Sequence, residues 1–148
     1  MIASLVGSEM CIRDRVSAAE TNNVSNIGLL LFFSCFFWII AYDTAYALCD
    51  KKDDLNLGIN SSAITFGSIV VPLFFLFHLT SILILVYAAV LLNLHTSFYP
   101  FALFSFLLAI YQTYLIKDQI SSQCLKAFKN NNWLGLSIFL GSILGVSL

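Results

Sequence analysis

Charge is what this chain has least of. Seven lysines and arginines and eight aspartates and glutamates are spread over 148 residues, and they nearly cancel to a net −1. With no basic patch to neutralise phosphates along a duplex, nucleic-acid binding is excluded. Cysteine is sparse and scattered: Cys11, Cys35, Cys49 and Cys124 form no Cys-x-x-Cys pair, so neither a zinc site nor a disulfide framework follows. The two prolines, Pro72 and Pro100, each fall in the first turn of an apolar run, where a missing backbone donor costs little. No internal repeat, low-complexity tract or soluble domain is visible. What fills the space is apolar: 59% of residues, 14 of them phenylalanine, with a mean hydropathy of +0.90. That composition belongs to a polytopic membrane protein, an all-α bundle of transmembrane helices.

Four apolar spans are expected, at residues 27–48, 69–92, 98–116 and 133–148. The first, at 1.5 Å per residue, rises about 33 Å, enough for a hydrocarbon core of about 30 Å. Residues 49–60 read as a charged connection ended by Gly58, residues 61–68 as a short interfacial turn, and 93–97 as a tight turn. Residues 117–132 read as a second polar loop, with Asn130 to Asn132 offering a cap to the last span. Gly135, Gly141 and Gly145 in that span suit close helix packing within the subunit or, alternatively, a dimer face. His78 reads as a core histidine with one hydrogen bond to a neighbouring helix rather than a proton carrier. Tyr111, Gln112 and Tyr114 read as an interface belt, with a place in a substrate mouth as the other reading. Lys51, Lys52, Lys117, Lys126 and Lys129 sit in the first and third loops and none in the second, so the first and third face the cytoplasm. Residues 16–26 form a polar lead-in, with Ser25 or Asn26 as a helix cap. Residues 1–15, MIASLVGSEMCIRDR, read as a translated sequencing-adapter scar, the alternative being a disordered tail.

The chain's acids concentrate in YDTAYALCDKKDDLNLGINSSAITFG, residues 42–67. If the first helix continues past Leu48, 100° per residue puts Asp50 and Asp54 about 20° either side of Asp43, with Tyr46 about 60° away on the same face. Asp53 falls roughly 80° off and Lys52 almost opposite. Carboxylates one turn apart repel unless a cation sits between them, and hard oxygen ligands suit magnesium with a phosphate-bearing substrate. A solvated helix end whose acids and lysines pair with each other is the alternative. Asp43 follows directly on an apolar span, and an ionisable group there marks a functional cavity by default.

Asp43-Thr44-x-Tyr46-Ala47-x-x-Asp50-x-x-Asp53-Asp54, followed by Gly58 and by Ser61-Ser62-Ala63-x-x-Phe66-Gly67, resembles the second aspartate-rich motif of the UbiA superfamily of membrane prenyltransferases. Tyr111-Gln112, Leu115-Ile116-Lys117-Asp118 and Cys124-x-Lys126-Ala127-Phe128-x-Asn130-Asn131-Asn132-Trp133-x-Gly135 resemble the last cytoplasmic loop and last helix of the same enzymes. The resemblance implies the C-terminal four helices of a nine-helix fold in a bacterial inner membrane, here residues 27–148. It implies transfer of a polyprenyl group from polyprenyl diphosphate to 4-hydroxybenzoate in ubiquinone biosynthesis, with Mg2+ as cofactor. Asp43, Asp50 and Asp54 are then catalytic, Asp50 and Asp54 the metal ligands, and Tyr46, Lys51, Lys52 and Asp53 substrate-binding.

The superfamily's first motif, of Asn-Asp-x-x-Asp type, does not occur in this sequence, whose acids before Asp43 are Glu9, Asp14 and Glu20. The resemblance therefore implies that an N-terminal half is missing and that the fragment is inactive alone. Two other readings stand beside it: another aromatic prenyltransferase of the same superfamily, and a non-enzymatic membrane subunit or cation carrier.

Overall fold

A computed structural model describes residues 26–147. The stretch expected as a scar, the expected lead-in before Asn26 and Ser25 cap, and Leu148 lie outside the described residues. Within them every long element is a helix: α1 (Asn26–Leu57), α3 (Val70–Leu91), α4 (Phe98–Ile116) and α5 (Ser121–Ser147). The one-turn helix α2 (Ser62–Thr65) and a 3-10 turn (Gly67–Ile69) lie between α1 and α3.

Two of the four expected spans fall within a residue of their helices, because in α3 and α4 the apolar run and the helix end together. The other two do not. α1 continues nine residues past Leu48, through most of the stretch expected as a connection. It stops at a backbone signal rather than at the change in polarity. Gly58 takes φ +67, which no side chain adopts cheaply, while Ile59 N–H donates to the Asp54 carbonyl at 2.9 Å and Gly58 N–H to that of Leu55 at 3.4 Å. This is the paired-bond C-cap that satisfies a helix's last carbonyls. α5 begins twelve residues before Trp133, so the expected loop at 117–132 shrinks to a four-residue turn, 117–120. Its buried stripe, Cys124, Ala127, Asn131, Leu134, Ile138, Gly141 and Gly145, recurs every three or four residues and runs straight through the polar half.

The four long helices pack in a ring, α1 on α3, α3 on α4, α4 on α5 and α5 back on α1. α1, the segment Gly67–Leu91 and α4 are each long and apolar enough to cross a membrane. α5 has the length, at 27 residues, but its polar first half keeps it out of that group. The exposed faces of the bundle carry large apolar side chains such as Phe33, Leu83, Leu103 and Phe139, as a surface solvated by lipid requires. The interior mixes apolar side chains such as Phe74, Ile116 and Leu48 with small polar ones: Ser34 Oγ donates to the Ser81 carbonyl at 3.0 Å, and Ser137 Oγ to that of Phe101 at 3.0 Å. A methyl group at Gly141 would meet Phe101 Cβ at 2.7 Å, and one at Gly135 would meet the Trp38 ring at 3.1 Å. The α5 glycines thus let α4 and α1 approach closely within one chain. At the end away from the acidic segment, the 92–97 turn closes on the end of α5, where His95 N–H donates to the Gly145 carbonyl and Ser97 Oγ to that of Leu144, both at 2.9 Å.

Candidate active site

Because α1 is unbroken to Leu57, the acids of its last four turns keep helical phase. The buried stripe Ala41, Ala45 and Leu48 holds this part of the helix against Val70, Phe74, Ile116, Cys124 and Ala127. That stripe lies about 140–160° round the helix from Asp43. The opposite side is therefore free of the core. Asp43, Asp50 and Asp54 lie half-buried on it, while Lys52 and Asp53 are fully exposed. Tyr46, 41% exposed, interacts most strongly with Asp50, one turn on, and more weakly with Asp54. The expected grouping of Asp43, Tyr46, Asp50 and Asp54 is thus assembled on one face, and Lys52 and Asp53 stand off it.

α5 supplies the flank. The Phe128 ring stacks on Tyr42 with centroids 4.4 Å apart and lies 5.2 Å from that of Tyr46, so one aromatic residue braces both neighbours of Asp43. Further in, Trp38 Nε1 donates to Asn131 Oδ1 at 2.9 Å and Gln112 Nε2 to Asn130 Oδ1 at 3.3 Å. The asparagines expected to cap the last span are instead interhelical partners inside it. Gln112 accordingly leaves the expected interface belt: it is 1% exposed, whereas Tyr111 and Tyr114 remain outside at 48% and 72%. His78 is a core residue, 1% exposed. Its Nδ1 faces the Phe74 carbonyl of its own helix at 3.2 Å, and Asn131 of the neighbouring α5 lies beside its buried ring.

The turn 117–120 is fastened to the acidic segment at two points. Lys51 Nζ donates to Gln119 Oε1 at 2.7 Å, and Ser121 Oγ donates to the Cys49 carbonyl at 2.9 Å. Nothing in the sequence marks Gln119 or Ser121, which lie 68 and 72 residues from their partners. In the first turn of α5 burial, with Cys49 beside it, pushes the Cys124 thiol up to about 11. That thiol is inert packing at neutral pH.

No group of three His, Cys, Asp or Glu side chains gathers for a metal among the described residues. Asp50 and Asp54 are a pair of carboxylates one turn apart on the same face. That number fits a hard divalent cation whose remaining positions go to water and substrate phosphate, as magnesium sites in phosphoryl-handling proteins are built.

The described residues thus form a helix bundle with three helices able to cross a membrane and an acid-lined helix face at one polar end. The UbiA prenyltransferase family matches residues 16–143, and the chain belongs to that family. It is 42% identical over 127 residues to the 4-hydroxybenzoate octaprenyltransferase of Nitrosomonas europaea, covering 86% of this chain and 44% of the relative. The enzymes of the same name from Nitrosomonas eutropha and Pasteurella multocida are 43% identical over 127 residues and 38% over 117. The chain spans less than half the length of these curated relatives, 44% and 40% for the last two. No solved structure matches it.

Proposed function

We propose that the chain is the C-terminal part of an enzyme that transfers a polyprenyl group from polyprenyl diphosphate to 4-hydroxybenzoate, a step in ubiquinone biosynthesis. The observation that carries this reading is the unbroken helix to Leu57, which puts Asp43, Asp50 and Asp54 on one face away from the core. The name shared by the relatives supports the choice of acceptor.

In this reading Asp50 and Asp54 hold magnesium through one carboxylate each. The bound ion supplies charge neutralisation at the diphosphate as its bond to the allylic carbon breaks. Lys51, on the flank, adds a cationic contact to the same phosphates, and exposed Lys52 and Asp53 contribute at the rim. Asp43 lies two turns deeper than Asp50. There it orients the hydroxybenzoate or accepts the proton that the ring loses on prenylation. Tyr46, next to Asp50, lines the passage between the two groups. The five lysines at this end and their absence from the 92–97 turn support a cytoplasmic location for the site, in a bacterial inner membrane.

An assay of the complete protein with polyprenyl diphosphate and several aromatic acids tests the assignment. Prenylation of 4-hydroxybenzoate is the expected result. Turnover of homogentisate or a naphthoate with none of 4-hydroxybenzoate would transfer the chain to another branch of the family, and no turnover of any would favour a non-enzymatic membrane subunit.

A further inference from the structure

The turn between α4 and α5 reaches across the bundle to α1, and it does so beside the acidic face rather than away from it. Gln119 sits there at φ 51, a left-handed conformation uncommon for a residue with a side chain, and its N–H closes the end of α4 on the Ile116 carbonyl at 2.9 Å. Its amide oxygen accepts from Lys51 Nζ at 2.7 Å. Two residues on, Ser121 Oγ binds the Cys49 carbonyl at 2.9 Å, so the turn holds both the backbone and the side chain of the segment that carries Asp50. Lys51 thus rests on a neutral acceptor, although three aspartates of its own helix, Asp50, Asp53 and Asp54, stand within a turn of it. Lys51 is about 100° round from Asp50 and 60° from Asp54, at the edge of the acidic face, and the bond to Gln119 turns its ammonium toward the 117–120 turn. The two carboxylates stay unneutralised, and a cation waits on their flank.

An ammonium held by an amide oxygen is placed without being locked. An anionic phosphate oxygen makes roughly twice as strong a hydrogen bond as a neutral acceptor, so the exchange from amide to phosphate is downhill. We propose, on the reading of the site given above, that Gln119 is a positioning residue for the diphosphate subsite: it presents Lys51 at the edge of the Asp50–Asp54 face and yields it to the incoming diphosphate. Gln119 acts only through Lys51. The turn it occupies is the device that couples the last helix pair to substrate binding.

The experiment is a double-mutant cycle in the complete protein with Gln119→Leu, Lys51→Met and both. Gln119→Leu should raise KM for polyprenyl diphosphate by about three- to tenfold, a fraction of one charge-assisted hydrogen bond, with kcat and KM for the aromatic acceptor within about twofold. The double variant should match Lys51→Met alone. Gln119→Glu keeps the shape and turns the holder into an ion-pair partner, so it should raise KM for the diphosphate further. Binding of inorganic pyrophosphate with magnesium, by equilibrium dialysis, should weaken in the same order. Because this readout needs no acceptor, loss of the acceptor assignment leaves it intact. A Gln119→Leu variant with lowered kcat and unchanged KM, or additive effects in the double variant, would mark Gln119 as merely structural and overturn the proposal.

Discussion

Two stretches of this chain carry nearly the same polarity and meet opposite fates. The end of α1, from Asp50 to Leu57, and the start of α5, from Ser121 to Asn132, both read as loops and both fold as helix. In α5 the polar groups turn inward and find partners: Asn131 takes the Trp38 indole and Asn130 the Gln112 amide. In α1 the carboxylates of Asp50 and Asp54 lie half-buried on the side away from the core, where Asp50 meets Tyr46 while Lys51 goes to Gln119. The lesson is that polarity alone does not locate a site in a membrane bundle. The site lies where charge is left uncommitted by the fold.

The comparison is broken most violently on the α1 side. Replacing Asp50 or Asp54 with Asn in the complete protein keeps the shape and removes one charge, and prenylation should slow about 10²-fold or more, roughly 3 kcal/mol of transition-state stabilisation. Thermal unfolding in detergent should barely change, because neither residue faces the core. A matching loss of stability would mean that the acids hold the fold together after all.

On the α5 side the expectation reverses. Asn131→Leu strands the Trp38 indole N–H in the bundle, at a cost of about 1–3 kcal/mol. Gly141→Ala drives a methyl to within 2.7 Å of Phe101 Cβ, and should cost about as much through strain between α4 and α5. Unfolding titrations read both, and neither should alter magnesium dependence. An Asn131→Leu variant of native stability but impaired magnesium response would move the asparagine into the site.

How much of this was legible in the sequence depends on which signal ended each element. α3 and α4 could be placed because membrane thickness limits the apolar run and the helix alike. α1 and α5 could not, since hydropathy stops where the membrane does, whereas a helix stops at Gly58 or at the 117–120 turn. The angular grouping of Asp43, Tyr46, Asp50 and Asp54 was readable because it needs only helical phase. The Lys51–Gln119 and Trp38–Asn131 contacts were not, being 68 and 93 residues apart with no local pattern at either end.

A smaller effect sharpens the picture at the junction of α1 and α5. The Cys124 thiol, buried and pushed up to about 11, stays protonated through the neutral range and should resist maleimide at pH 8 in the folded protein. Its unfolded pKa is lower, near 9. Stability from keeping this thiol neutral is therefore complete below pH 9 and is lost as pH rises toward 11. Rapid labelling of Cys124 at pH 8 without unfolding would show that the first turn of α5 is not packed on α1.

The central claim is that phase along one continuous helix selects which acids work together. It is tested most directly by titrating magnesium against prenylation rate in the complete protein for Asp50→Asn, Asp53→Asn and Asp54→Asn side by side. Asp53 is the internal control, one residue from Asp54 in sequence but about 60° round from Asp50, 80° from Asp43 and 100° from Asp54, and exposed. The account predicts that the half-saturating magnesium concentration rises about tenfold or more at positions 50 and 54, and changes less than about twofold at 53. Equal effects at all three positions, or full activity in the Asp50 and Asp54 variants, would contradict it.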